Sequence, residues 1–208
     1  VTPPAGIFLH LIAFDLGRGP DGVSRVLATR AQAPSGAGYA LENRLTVSQL
    51  FLDAFRDQHV QRLAPFFRAL QESLLSVAPS DGSTPHVVLL TPGRYNETYF
   101  EHAYLSRYLG FTLAEGADLT VRDDRVYLKT VSGLRRVHVI VRRVDDSFCD
   151  PLELRADSAL GVPGLVQAWR EGHIHVANAF GTSVLESPAL SPFLPAVCMK
   201  LFGQPLDI

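Results

Sequence analysis

Residues 86–110, HVVLLTPGRYNETYFEHAYLSRYLG, constrain this chain more than any other stretch. An apolar run at 86–90 is bounded by Pro85 and by Thr91-Pro92-Gly93, which reads as a short buried strand ending in a tight turn. Asn96 can cap a following helix, with Glu97 in its first turn. At 100° per residue Phe100, Tyr104, Leu105, Tyr108 and Leu109 share one half of that helix, and Gly110 is a natural stop. Strand, glycine turn and helix together open a parallel α/β sheet, and such sheets bind ligands at the carboxyl ends of their strands. Glu101 falls near the middle of the apolar half. A carboxylate there needs a partner, and an arginine at 142 or 143 is the expected one.

The rest of the chain fits around this unit. Residues 7–14 and 23–27 read as a hairpin, and 30–44 as a loop rich in small residues that could approach a phosphate. Helices are expected at 46–55 and 60–78, and a Pro/Gly/Ser-rich linker at 79–85. Beyond it, 112–115, 119–122, 125–129, 137–141 and 173–177 read as strands, with Asp123-Asp124 as a hairpin turn. Helices are expected at 162–170 and at 187–202, the latter broken by Pro192 or Pro195. The expected architecture is α/β: a small doubly wound, mostly parallel sheet preceded by a unit with a hairpin and helices. Residues 1–78 and 86–203 are the expected divisions.

Three turns should meet at the carboxyl edge of the sheet: 91–97, 142–146 and 178–182. Arg142, Arg143, Asp145 and Asp146 form the sharpest cluster, because arginines at a strand exit suit carboxylate or phosphate through paired hydrogen bonds. Asn96, Glu101 and Asn178 complete the expected substrate side. His102, His138, His173 and His175 lack metal-ligand spacing, so no metal set is read from them.

Composition excludes several classes. Lys and Arg total 19 against 21 Asp and Glu, a formal charge of −2, so no basic stripe points to nucleic acid. No apolar run approaches a membrane span, and no signal peptide is visible. The two cysteines read as reduced thiols of a cytoplasmic protein. A chain that begins at Val1 without Met reads as a fragment of a longer one.

The segments LTPGRYNETYFEHAYLSRYLG, EGADLTVRDDRVYLKTVSGLRRV, VRRVDDSFCDPLELRADSALGVPGL, ANAFGTSVLESPAL and, upstream, APSGAGYALENR carry a family resemblance. Together they resemble the circularly permuted ATP-grasp proteins, which are similar to ATP-dependent carboxylate–amine ligases of the glutathionylspermidine-synthase-like kind. The resemblance implies that residues 1–78 are part of a metal- and phosphate-holding lobe. It implies that 86–203 are a pre-ATP-grasp-like α/β substrate domain. It also implies ATP and Mg²⁺ as cofactors of the full-length protein, an acyl phosphate intermediate, and a small-molecule or peptide-like substrate. On the same ground Asp15, Arg18, Arg30, Glu42, Asn43 and Arg44 match positions near the phosphates and metal. Ala28-Thr29-Arg30 stands where the better-known branch carries Glu-Asp-Asn, so a metal site in this segment is not implied. The isolated fragment is then expected to be inactive. A non-catalytic binding module that lost its metal ligands is the competing expectation. A glycosyl-transfer enzyme with a similar α/β edge is a third, weakened by the lack of an Asp-x-Asp motif.

Overall fold

A computed structural model describes residues 2, 3 and 6–206. The fold is mixed α/β, with parallel and antiparallel sheets. Among the described residues nine strands follow one another: β1 (Ala13–Arg18), β2 (Ser24–Arg30), β3 (Val87–Leu90), β4 (Thr112–Ala114), β5 (Leu119–Arg122), β6 (Arg125–Thr130), β7 (Gly133–Arg136), β8 (Val139–Arg142) and β9 (His175–Ala177). The same described residues hold six α-helices: α1 (Ala37–Leu50), α2 (Leu52–Asp57), α3 (Ala64–Ser76), α4 (Tyr99–Leu109), α5 (Leu165–Arg170) and α6 (Leu194–Phe202).

The centre is a four-stranded parallel sheet ordered β4-β3-β8-β9. Its strands are near-continuous apolar runs because both faces are covered. Strand alternation sends Val88, Leu90, Ile140 and Val176 to one face, where they pack with Leu165 and Trp169 of α5 and with Leu119 and Val126 of the antiparallel β5-β6-β7 meander. Val87, Leu89, Val139 and Ala177 point the other way, onto Leu41 of α1, Phe67 and Leu74 of α3, and Leu105 and Leu109 of α4. Helices from the first 78 residues therefore cover one face of the sheet, and each fully buried aliphatic there contributes about 1.5–3 kcal/mol.

Several local expectations are corrected. The first strand begins at Ala13, not at residue 7. Residues 8–11 instead run beside the end of β9: Ala179 N–H donates to the Phe8 carbonyl at 3.0 Å, and the Asn178 side chain takes over the pairing that a ladder would supply. The expected loop at 30–44 becomes helix from Ala37 onward, entered through Gly36 in the left-handed region (φ 111°). The chain then bends at Phe51 into α2. Helix α4 starts at Tyr99 with Thr98 as its cap, and Asn96 makes a turn two residues earlier by accepting from Thr98 N–H at 2.9 Å. Its core face is rotated from the expected one. Glu101, His102, Leu105, Ser106 and Leu109 are buried, whereas Phe100 and Tyr108 form an outward stack with Tyr39 and Tyr104. Strand β7 was not expected from the sequence; only its pairing with β6 reveals it, since GLRR has no apolar alternation. Residues 188–193 form a 3-10 turn before α6, with Pro195 in the first turn of α6.

The Asp123-Asp124 turn is as expected. Both residues have positive φ, 48° and 54°, the conformation of the hairpin turn whose twist matches the flanking strands. A side chain at the second position is strained there. Asp124→Gly is expected to stabilise the chain by up to about 1 kcal/mol in urea denaturation. The His173 ring contact to the Asp124 carbonyl survives that change, because it involves only the backbone.

Candidate functional site

A polar cleft of about 350 Å³ opens at the carboxyl edge of the parallel sheet. Its walls come from the end of β2 (Arg30) and the β2–α1 connection (Gln32, Ser35), from the turn after β3 (Asn96, Glu97, Thr98), from the exit of β8 (Arg143, Asp145), and from His102 and Glu186. Parallel strands end on the same side, so turns distant in sequence converge here.

The two arginines of the β8 exit have different tasks. Arg142 is fully buried and knits the strand ends together. Its Nε donates to the Asn178 carbonyl at 2.7 Å, Nη1 to Val144 O at 3.0 Å, and Nη2 to Ala179 O and Thr182 Oγ1, each at 3.2 Å. Asp146 supplies its counter-charge at 2.5 Å and also accepts from Gly181 N–H. Phe180 lies 5.7 Å below the guanidinium, and its ring meets Trp169 edge-on at 5.2 Å. Arg143 lines the cleft instead. It donates Nη1 to Pro34 O at 2.8 Å and keeps Nη2 3.7 Å from Glu101. Both are buried, although adjacent strand residues face opposite sides, because the chain leaves the strand between them.

Glu101 is fully buried, and the expected bridge to an arginine is present at long range. Its principal partners are others. The carboxylate accepts from Gly36 N–H at 2.8 and 3.0 Å and from Gly38 N–H at 2.8 Å. These are the opening N–H groups of α1, where a helix best holds an anion. The small-residue loop expected to hold a phosphate thus holds an internal carboxylate. A Cβ at Gly38 would lie 2.8 Å from Glu101 Cγ, so the close approach depends on glycine.

A second internal carboxylate went unrecognised in the sequence. Glu186 accepts from Ala31 N–H at 2.6 Å and Gln32 N–H at 2.8 Å. Burial pushes its pKa up, but those hydrogen bonds and Arg30 outweigh it, so the net shift is downward. No local motif marks such a residue; its partners lie some 155 positions away. His102 was also not assigned to the site. It is buried between Thr91 Oγ1 at 2.9 Å and Thr98 Oγ1 at 3.0 Å, and burial plus the neighbouring Arg143 push its pKa down to about 4.

Of the residues expected near phosphates, Arg30 reaches the cleft, paired with Asp15 at 2.7 Å. Arg18 caps its own hairpin turn through Gly22 O. Glu42 and Arg44 lie along α1, against Tyr104 and the Gln61 carbonyl respectively, and Asn43 is exposed on the same helix. Asn178 does not face the cleft. Its amide is consumed by Leu11 O, Ala31 O and the N–H groups of His10 and Leu11, so it fastens the front of the chain to the sheet edge. His138 faces Asp81 and Ser83 at the opposite edge, and His175 contacts His10. Among the described residues no three His, Cys, Asp or Glu side chains are grouped to hold a metal ion.

Two outcomes follow from these environments. Cys149 is buried, its thiol donates toward Val144 O and Asp145 O, and burial pushes its pKa up to about 12. In a thiol titration Cys198 is expected to react in the folded chain and Cys149 only after unfolding. His102 binds its proton less readily folded than unfolded, so it contributes no penalty above pH about 6.5 and an increasing one as pH falls from there to about 4. Stability is expected to drop by up to about 3 kcal/mol over that window, and His102→Gln to flatten the dependence measured by chemical denaturation.

The comparisons with known proteins agree in kind. An uncharacterised protein of Mycobacterium tuberculosis is 44% identical over 198 residues, covering 95% of this chain and 22% of its own length. A Synechocystis protein is 42% identical over 195 residues, 94% of this chain and 40% of its own. A Mycobacterium leprae protein is 41% identical over 197 residues, 95% of this chain and 35% of its own. The chain therefore spans between about a fifth and two fifths of these relatives. Among the described residues no helix is long and apolar enough to cross a membrane. Residues 1–208, the whole chain, match one family description, and the chain belongs to that family: circularly permuted ATP-grasp type 2.

Proposed function

We propose that the full-length protein is an ATP-dependent carboxylate–amine ligase working through an acyl phosphate on an amino-acid or peptide-like substrate. The supporting observation is family membership joined to a polar cleft at the carboxyl edge of a parallel sheet, with a buried arginine in its wall. On this reading residues 1–78 belong to the phosphate-holding lobe. Residues 86–203 form a pre-ATP-grasp-like α/β domain that receives the substrate. Asn96, Arg143 and Asp145 touch the substrate, while Glu101, Arg142, Asp146 and Asn178 hold those groups in place. Asp15, Arg18, Arg30, Glu42, Asn43 and Arg44 belong to the nucleotide side, and only Arg30 of these reaches the cleft.

The donor set does not fit Mg²⁺ on this chain alone. A hard cation takes oxygen ligands, chiefly carboxylates. Glu186 and Glu101 are occupied by backbone N–H groups, Asp15 by Arg30, and among the described residues no third acid joins Glu97 and Asp145 in a metal-holding group. No step is therefore assigned through the metal. The same observation favours one alternative: a binding module that kept the fold without the metal ligands.

Phosphate release by the full-length protein with ATP, Mg²⁺ and a panel of amino acids and dipeptides separates the two. The ligase reading expects release that depends on one member of the panel, and a fall of about tenfold or more in kcat/KM for Arg143→Ala. Panel-dependent binding without any release selects the binding module.

A further inference from the structure

Asn96, Thr98, His102 and Thr91 form one hydrogen-bond chain whose direction is fixed at both ends. Asn96 Oδ1 accepts from Thr98 N–H at 2.9 Å and from Thr98 Oγ1 at 2.6 Å. A backbone N–H can only donate, so the amide atom facing it is the oxygen. The Thr98 hydroxyl gives its one proton to that oxygen and therefore accepts from His102 Nε2–H, 3.0 Å away. Neutral His102 then has no proton on Nδ1, which accepts from the Thr91 hydroxyl at 2.9 Å. Thr91 Oγ1 in turn accepts from Gly93 N–H at 3.2 Å. Every member is satisfied in a single sense. The result is that Asn96, which lines the cleft, has its oxygen held inward and its Nδ2H₂ group without a partner among the described residues.

Arg143 adds a second set of free donors. Its side chain is 4% exposed, yet Nε–H and Nη2 make no hydrogen bond among the described residues. Glu101, at 3.7 Å, is held by the Gly36 and Gly38 N–H groups and stays beyond hydrogen-bond reach of Nη2. Buried donors without acceptors are costly to leave unmade. Glu186, the acceptor in the same wall, already serves Ala31 and Gln32. The remaining carboxylates of the cleft, Glu97 and Asp145, are exposed at its rim.

We propose that Asn96 and Arg143 form an oxyanion subsite, for the carboxylate or phosphoryl oxygens of a small ligand. His102 is the positioning residue that keeps the Asn96 amide nitrogen turned toward it. A guanidinium with donors free on two nitrogens matches two oxygens of one such group. The proposal deepens the ligase reading and rests on it for the expectation that a reacting carboxylate, or the phosphoryl group it receives, arrives here. Anion binding itself needs no nucleotide.

The test is a titration of the ¹⁵N-labelled full chain, without ATP, by sodium acetate and separately by inorganic phosphate. The Asn96 Nδ2H₂ and Arg143 Nε–H signals, identified from Asn96→Asp and Arg143→Lys, are expected to shift and saturate with at least one anion. Tighter binding of acetate assigns a carboxylate; tighter binding of phosphate assigns a phosphoryl group. Asn96→Asp is expected to weaken binding about fivefold or more. His102→Ala is expected to weaken it similarly. His102→Gln, whose amide NH2 can donate to Thr98 and whose amide oxygen can accept from Thr91 as the two ring nitrogens of neutral histidine do, is expected to restore it. Neither anion shifting either signal, or Asn96→Asp binding as the wild type does, overturns the subsite. Equal binding by His102→Ala and the wild type overturns the positioning role. Failure of the ligase reading shows elsewhere, as absent phosphate release.

Discussion

The contact on which the cleft depends is the Glu101 carboxylate against the Gly36 and Gly38 N–H groups. It joins three elements far apart in sequence: the start of α1, the first turn of α4 and, through Arg143, the exit of β8. A buried carboxylate without partners would be among the most costly groups a core could hold. Here the unpaired N–H groups of a helix start and a nearby guanidinium compensate it. Because the contact ends α1 against α4, it also sets where the Ala31–Ser35 connection runs, and that connection is one wall of the cleft.

Repetition of this device explains the rest of the edge. Glu186 holds the N–H groups of Ala31 and Gln32 just as Glu101 holds those of Gly36 and Gly38. Asn178 clamps the backbone at Leu11 and Ala31 from the sheet side, and Arg142 ties three carbonyls of the β8 and β9 exits to Asp146. Backbone that belongs to no ladder or helix is thus satisfied by side chains, which is what a loop-built site needs if it is to hold one shape.

Most strands and helices, though not β7 or the start of α1, were legible because apolar runs and periodicity are local properties. The residues 86–110 unit, the Asp123-Asp124 hairpin and the placement of Arg142 and Arg143 at the sheet edge all follow from them. The α4 face was harder to read. Three aromatics outweighed Glu101 in any hydrophobic count, yet Phe100 and Tyr108 remain outward while Glu101 is buried, because a partner at residue 36 decides the rotation. Residues 30–44 read as a loop rich in small residues that could approach a phosphate. In the structure that segment is helix from Ala37, and the anion held at its start is the chain's own Glu101 carboxylate. Glu186 could not be placed from the sequence, since its role exists only when residues about 155 positions away come alongside; the partners of His102, Thr91 and Thr98, are near in sequence, but no motif marks them and only the turn between β3 and α4 brings all three together.

The Trp169–Phe180–Arg142 stack has an optical consequence. Trp169 is the single tryptophan of the chain, and it is 3% exposed. Its indole touches Phe180, which sits beneath the guanidinium that ties the β8 and β9 exits together. Any rearrangement of that edge changes the charge and the ring packing beside the one strong fluorophore. The molecule thus carries a built-in emission probe on the far side of the wall that Arg143 lines, and no label need be introduced to follow what happens there.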